Sequence, residues 1–483
     1  MFRIRINNDE KSPMPLKFYN SLSRQIEPFV PLHQDAVRLY TCGPTVYNYA
    51  HIGNFRAYVF EDLLRRTLKY CGYRVIQAMN LTDVDDKTIR GARAAGQSLD
   101  EFTKLFKRAF FEDIKTLRIE PAEHYPAATE HLPEMIELIQ RLLDRGVAYR
   151  ADDGSVYFSI GRYPQYGRLT KIKPEDMRST GRVRNDEYAK EAVADFALWK
   201  AYQEEDGAVC WDSPWGRGRP GWHIECSAMS MKYLSPSFDI HTGGIDNMFP
   251  HHEDEIAQSE AATGQPFARY WLHCAHLVVD GQKMSKSLGN FFTLRDLLEQ
   301  GLTGREIRYV LLGGHYRQSL NFSLQSARDA RAALQRLDDF AARLRQLPNS
   351  TETDAPGIVQ PLLERAETQF RQALEDDLNM AEALAALFSL IRDVNRQIDQ
   401  QTLARPAADA TLALLREFDR VLAVLDLDRE PAVPAEIESL AEARQEARRQ
   451  RDFAQADAIR DRLLAEGWLI EDTPAGPRLK PAN

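Results

Sequence analysis

The order of three early segments constrains this chain more than anything else in it. Val37-Arg38-Leu39-Tyr40-Thr41-Cys42 reads as a short strand and Gly43-Pro44 as a turn. From Arg56 to Tyr70, Val59, Phe60, Leu63, Leu64 and Leu68 recur at helical spacing. A second strand, Arg74-Val75-Ile76-Gln77-Ala78-Met79, follows and runs into Asn80-Leu81-Thr82-Asp83. Strand, loop, helix and strand in this order describe a crossover between parallel neighbours. The expected core is an α/β fold with a Rossmann-type parallel sheet, whose ligands sit beyond the carboxyl ends of the strands.

At 483 residues the chain is too long for one core, and a prior of roughly 150 residues per domain implies about three units. Helical, charged, glycine-containing sequence interrupts the α/β pattern, which resumes near Phe238-Asp239-Ile240-His241. A further strand, Ala275-His276-Leu277-Val278-Val279, leads into Asp280 and the segment up to Ser287. Ala, Leu, Arg, Glu and Gln at helical spacing from Leu320 to Leu347 and from Ile358 to Leu425 describe a helical bundle. Pro431 and Pro434 mark a linker, and helices from about Glu436 and Phe453, a break at Gly467 and a terminal ribbon complete the chain. The expected divisions are 1–130, the first half of the core; 131–205, a connective insertion; 206–318, the second half of the core; 319–430, the bundle; and 431–483, a small α+β module.

Hydrophobic content of 43% and charged content of 28% suit a soluble enzyme, and no apolar run approaches the ~18 residues of a membrane span. The first residues, Met1 to Lys11, hold no uninterrupted apolar segment that would serve as a secretory signal, so a cytoplasmic protein is expected. Five cysteines at irregular spacing argue for metal ligation or burial rather than disulfides. With a net charge of -9, any contact with nucleic acid has to come from local basic patches.

His51-Ile52-Gly53-Asn54 places an imidazole, a glycine and an amide where a strand feeds the positive end of a helix, a setting that favours anionic oxygens. Alone, such a His and Gly are more often turn residues than ligands. Lys283-Met284-Ser285-Lys286-Ser287 is more specific, since one fixed pentapeptide arises by chance about once in several thousand chains of this length. One motif follows an early strand and the other a late one, so both converge on one edge of the sheet, as a nucleotide site requires. Gly243-Gly244 allows close backbone approach to a nucleoside and Asp246 can accept from ribose hydroxyls, with a simple turn as the alternative.

His251 and Glu255 are one helical turn apart on one face. With Cys226 and Cys42 they make a zinc-compatible set of two thiolates, an imidazole and a carboxylate. Without a C-x-x-C pair, spacing alone leaves plain burial open for both cysteines. Cys71 and Cys210 read as packing residues, as does Cys274, which strand alternation puts on the same face as His276.

Taken together, the two loops resemble the HIGH and KMSKS signatures of class I aminoacyl-tRNA synthetases, with Asn54 in place of the second histidine. Gly221 to Met229 and Phe249-Pro250-His251-His252-Glu253 narrow the resemblance to cysteine-tRNA ligases, and it extends from Tyr40 to about Pro474. It implies attack of the carboxylate of L-cysteine on the α-phosphorus of ATP, release of pyrophosphate, and transfer of the acyl group to tRNA(Cys). His51, Asn54, Lys283 and Lys286 would carry the catalysis, and with Gly53, Gly243, Gly244 and Asp246 they would bind ATP, accompanied by Mg2+. Cys42, Cys226, His251 and Glu255 would hold one Zn2+ that recognises the substrate thiolate and rejects serine without an editing insert.

Thr82 and Trp222 match positions lining the cysteine pocket. Residues 447–461 and Glu471-Asp472-Thr473-Pro474 are similar to the anticodon-binding end of the family, which implies that Arg448, Asp457 and Asp472 contact a GCA anticodon. A monomer is expected. Two rivals remain at this point: a relative that joins cysteine to an amino sugar, which would lack the terminal module, and a silent paralogue that only binds RNA.

Overall fold

The computed structural model describes residues 15–172, 195–347, 358–427, 434–473 and 476–481. The linker expected at Pro431 and the stretch from Met1 to Lys11 lie outside these residues. The chain forms two compact units, Met1–Arg331 with Thr368–Ala386 and Arg420–Val424, and Ala332–Glu367 with Leu387–Asp419 and Leu425–Asn483.

The first unit is built on a four-stranded sheet in the order Ala268–Cys274, Phe238–Gly244, Val37–Thr41, Val75–Met79, with every pairing parallel. Its strands are apolar on both faces, as sheets covered on both sides are: Leu39, Tyr40, Phe238, Ile240 and Leu272 are all buried. Helix Ile52–Tyr70 buries Phe55, Val59, Phe60, Leu63 and Leu64. From Val37–Thr41 the chain crosses to Val75–Met79 on one side, and from Phe238–Gly244 to Ala268–Cys274 on the other. The carboxyl ends of the two central strands therefore form the switch point where ligands of such sheets bind. Cys42 follows one of those ends and Gly243-Gly244 forms the other.

Three elements differ from the sequence reading. The fourth parallel strand is Ala268–Cys274, and Leu277–Val279 belongs to a separate three-stranded sheet, antiparallel to Gln282–Lys283 and parallel to Leu320–Phe322. The apolar run is nearly continuous across the change of sheet, so its periodicity does not reveal the break. Cys274 is buried and His276 exposed, so the two share no strand face. Residues read as a helical insertion form helix Leu132–Asp144 followed by an antiparallel sheet of Ala148–Arg150, Val156–Phe158, Phe196–Ala201 and Gly218–Pro220. Strands of three residues are too short to display alternation. Leu320–Phe322 is likewise a strand, and the following helix begins at Leu324.

Helices Leu324–Arg345, Gln360–Glu375, Met380–Asp399 and Arg405–Leu422 follow the core in sequence. In the second unit, helix Ala435–Arg449 packs on helix Phe453–Ala465, and the antiparallel ribbon Trp468–Thr473 with Gly476–Pro481 closes the chain.

Candidate active site and metal centre

The two signature loops meet. His51 bridges to Thr293, Ile52 N donates to Phe292 O at 3.0 Å, and a Cβ placed on Gly53 would lie 2.7 Å from the Met284 methyl. The second loop thus comes close to Gly53, with the Met284 side chain at its tip. His51 caps its helix: Asn54 N donates to His51 Nδ1 at 3.2 Å, and His51 N donates to Asn54 Oδ1 at 3.1 Å. Since Nδ1 accepts, a neutral His51 carries its proton on Nε2, the correct arrangement for donating to a phosphate oxygen. Burial lowers the His51 pKa, against a smaller opposing effect of Asp246, so the neutral form is favoured. Asn54 spends its oxygen on the cap, which leaves its NH2 group as the donor for a ligand.

Lys283 ends a short strand with its side chain exposed, and Ser285 N is fixed by Asn290 Oδ1 at 2.8 Å. Lys286 opens the turn Lys286–Leu288, and its side chain lies outside the described part of the structure. Gly243 and Gly244 complete the strand rather than forming a turn. A Cβ on Gly243 would stand 2.9 Å from the His252 ring, and one on Gly244 would stand 2.4 Å from Asp246 Oδ1. Asp246 is exposed just beyond the strand end.

Cys42, Cys226, His251 and Glu255 come together with their ligand atoms all within 4.8 Å of one another, and all four are buried. Cys226 and Glu255 are 0% exposed, so no water is at hand to stabilise their charges. His251 Nδ1 is engaged by His223 Nδ1 at 2.9 Å, which turns Nε2 toward the cluster. Glu255 Oε2 accepts from His241 Nε2 at 2.8 Å. Its Oε1, 2.9 Å from His251 Nε2, has no aligned hydrogen-bond partner among the described residues. Ligand atoms that converge this closely fit a cation between them, and two sulfurs, a nitrogen and an oxygen are a zinc donor set.

The electrostatics agree. A hydrogen bond to Cys226, together with burial, drives the Cys42 pKa far up. Burial opposes ionisation of Cys226, but the hydrogen bond from Cys42 and the nearby His251 bring it below the usual thiol range. Burial also opposes a charged His251, yet Glu255 and Cys226 hold its pKa well above normal. One thiolate is thus stabilised by the cluster before any metal is considered.

A second combination, Cys42 with His241, His252 and Glu255, shares the same space. His252 Nε2 lies 3.3 Å from Cys42 Sγ, while His252 Nδ1 contacts His273 Nε2 at 2.9 Å and His273 Nδ1 contacts Ser21 Oγ at 2.8 Å. His241 stacks on Trp271 with ring centroids 4.5 Å apart. With one sulfur instead of two, this set is the poorer zinc ligand. The sequence reading missed the supporting ring of His223, His241 and His273. They come from a helix and two strands, His223 from Trp222–Tyr233, His241 from Phe238–Gly244 and His273 from Ala268–Cys274, so no spacing in the sequence joins them.

Thr82 and Trp222 flank the cluster. Thr82 N donates to Pro44 O at 3.1 Å and Val46 N to Thr82 O at 3.0 Å, which ties it to the loop after Cys42. The Trp222 indole stacks on His251 with centroids 4.2 Å apart and stays 40% exposed, an aromatic wall open on one side.

Helix His251–Thr263 is fixed in place by its own first turn. Buried Glu253 accepts from Gly167 N at 2.9 Å, Thr170 N at 2.8 Å and Thr170 Oγ1 at 2.9 Å. Replacing Glu253 with alanine strands these donors and is expected to cost about 3–5 kcal/mol of stability. A lower thermal midpoint checks this, and an unchanged one would refute the anchoring.

In the terminal module Arg444, buried, grips Asp472 with two bonds of 2.8 and 3.0 Å, and Arg448 joins from the exposed side. Asp457 is exposed on the neighbouring helix, 3.2 Å from Arg460. Arg448 and Asp472 are therefore brought together, with Asp472 orientated by a buried arginine that the sequence reading counted only as part of a charged run. Burial of Arg444 could not be read from that run, in which Arg444, Arg448, Arg449 and Arg451 are the same residue type.

Three family descriptions cover most of the chain: tRNA synthetases class I (C) catalytic domain at residues 28–332, DALR domain at 369–426, and cysteinyl-tRNA ligase anticodon binding domain at 430–476. The chain is 51% identical to the cysteine-tRNA ligase of Protochlamydia amoebophila (strain UWE25) over 479 residues, 98% of this chain and 100% of that one. The chain belongs to the cysteine-tRNA ligase family. It is therefore a class I aminoacyl-tRNA synthetase, a ligase. The family's enzyme from Chlamydia pneumoniae is 50% identical, covering 96% of this chain and 98% of its own.

Among solved structures, Mycobacterium tuberculosis methionyl-tRNA synthetase in complex with methionyl-adenylate matches with a TM-score of 0.59 at 17% identity, covering 81% of this chain and 89% of that one. A putative arginyl-tRNA synthetase from Campylobacter jejuni matches with a TM-score of 0.51 at 12% identity, covering 81% and 91%. At such identities the likeness concerns the fold alone. Among the described residues no helix is long and apolar enough to cross a membrane.

Proposed function

We propose that this ligase attaches L-cysteine to tRNA(Cys) through a cysteinyl-adenylate and selects cysteine by its thiol. The observation that carries the reading is the buried convergence of Cys42, Cys226, His251 and Glu255 beside the nucleotide loops. Those four residues would hold zinc, which when bound supplies a soft Lewis acid that favours a thiolate over the hydroxyl of serine.

The chain's own groups do the rest by positioning and charge neutralisation, since the attacking carboxylate comes from the substrate. Gly243 and Gly244 let the adenosine approach the backbone, and Asp246 accepts from its ribose. His51 Nε2 and the Asn54 amide donate to phosphate oxygens at the start of helix Ile52–Tyr70, where the helix dipole adds to the attraction. Lys283 and Lys286 neutralise charge that builds on the departing pyrophosphate, with magnesium carried by ATP. Thr82 and Trp222 enclose the small substrate. Arg448, Asp457 and Asp472 read the anticodon, the two carboxylates accepting from base donors and the arginine stacking or pairing with phosphate.

The test is charging of tRNA(Cys) with cysteine and with serine in parallel. Cysteine alone is expected to be attached, and attachment of serine at comparable rate would refute selection by the thiol. Replacing Lys283 with alanine is expected to slow pyrophosphate exchange by about 10²–10³-fold, the effect of losing one transition-state charge donor. The KM for cysteine should stay unchanged, and a rise in that KM with an unaltered kcat would contradict the assigned role.

A further inference from the structure

Glu225 lies in the first turn of helix Trp222–Tyr233, is next to Cys226 in sequence, and is completely buried. Neither of its carboxylate oxygens has an aligned hydrogen-bond partner among the described residues. Other buried carboxylates nearby have a partner on at least one oxygen, as Glu255 and Glu61 do. Asp83 accepts from Lys107 Nζ at 2.6 Å, Thr129 N at 2.9 Å and Thr129 Oγ1 at 2.8 Å, and Glu253 accepts the three bonds already described. Those acids are thus satisfied, while Glu225 has no cation partner among the described residues.

The Thr82 hydroxyl lies close to Glu225 without completing an aligned bond. That hydroxyl accepts from Asn80 Nδ2 at 3.0 Å, so its own proton is left to donate. A buried carboxylate without a partner is costly, and such groups persist where a ligand completes them. In cysteine the sulfur and the α-nitrogen are three bonds apart, on the order of 3–4 Å for bonds near 1.5 Å. A substrate held by its sulfur against the Cys42–Cys226 pair therefore has its ammonium group within reach of the adjacent residues.

We propose that Glu225, together with the Thr82 hydroxyl, forms the ammonium-binding end of the cysteine pocket and supplies the counter-charge for the substrate's α-ammonium group. This rests on the pocket reading of Thr82, Trp222 and the thiol-binding cluster given above. It makes the site selective for α-amino thiols: the cluster tests for sulfur, and Glu225 tests for the positive charge a fixed distance away. Small thiols without an ammonium group are rejected although they satisfy the cluster.

The experiment uses two fragments of the substrate as inhibitors of cysteine-dependent pyrophosphate exchange by the full-length, zinc-loaded enzyme. Cysteamine keeps the thiol and the ammonium, and 3-mercaptopropionate keeps the thiol and the carboxylate. In the unaltered enzyme cysteamine is expected to inhibit at roughly tenfold lower concentration, the scale of one charge-assisted bond. In Glu225→Gln that advantage should vanish and the KM for cysteine should rise by about 10–100-fold, with the KM for ATP and the zinc content unchanged.

Equal inhibition by both fragments in the unaltered enzyme, or a Glu225→Gln variant that keeps the preference for cysteamine, overturns the proposal. The first comparison needs no variant and stands even if Glu225→Gln fails to fold. Failure of both thiols to inhibit would instead overturn the thiol-binding pocket, and this proposal with it.

Discussion

Replacing Cys226 with serine is expected to lower kcat/KM for cysteine in pyrophosphate exchange by at least about a thousandfold, some 4 kcal/mol of transition-state stabilisation. A hydroxyl is a far weaker zinc ligand than a thiolate, and Cys226 is 0% exposed, so no solvent can take its place. ATP binding should change by no more than about twofold, because its donors are held by other contacts. His51 is fixed by Asn54 and the Thr293 bridge. Zinc content measured on the same protein should fall in step with the loss of cysteine recognition. Equal losses for cysteine and ATP would mean that Cys226 supports the fold rather than the amino-acid site.

Ending the chain at Val433 should separate the two half-reactions. Adenylate formation, followed by pyrophosphate exchange, is expected to persist within about twofold, since the proposed activation residues all precede residue 300. Charging of tRNA(Cys) should fall by a factor of about 10³ or more, from three proposed anticodon contacts at roughly 1–3 kcal/mol each. The module is a set of two packed helices and a ribbon, held by the Arg444–Asp472 fork. Unchanged charging would refute its assignment to the anticodon.

Much of this was legible in the sequence because the core obeys local rules. Val37–Thr41 and Val75–Met79 are short β-rich runs around a helix with one apolar face, and any such trio folds into a parallel crossover. What stayed hidden depends on the third dimension. The antiparallel sheet of the insertion consists largely of three-residue strands with no visible period, and the shift from Ala268–Cys274 to Leu277–Val279 occurs inside one apolar stretch. Cys42 and Cys226 are far apart in the chain, and only the resemblance joined them on paper. The sheet joins them physically, by placing the end of Val37–Thr41 beside helix His251–Thr263 and helix Trp222–Tyr233.

The site residues divide in the same way. His51, Gly53 and Lys283 belong to contiguous motifs, so the sequence suffices to name them. Glu225 and the histidines behind the cluster carry no motif of their own, and their importance lies in burial and in the partners they have or lack. Arg444 belongs with them, since its exposed neighbours Arg448 and Arg449 look identical on paper.

The measurement that bears most directly on the central claim is pyrophosphate exchange with each amino acid in turn, on enzyme of known zinc content, before and after removal of the metal. Exchange driven by cysteine and not by serine, lost with zinc and restored when zinc returns, is the predicted result. Exchange that serine supports equally, or that survives complete removal of zinc, would contradict selection of cysteine by its thiol at this cluster.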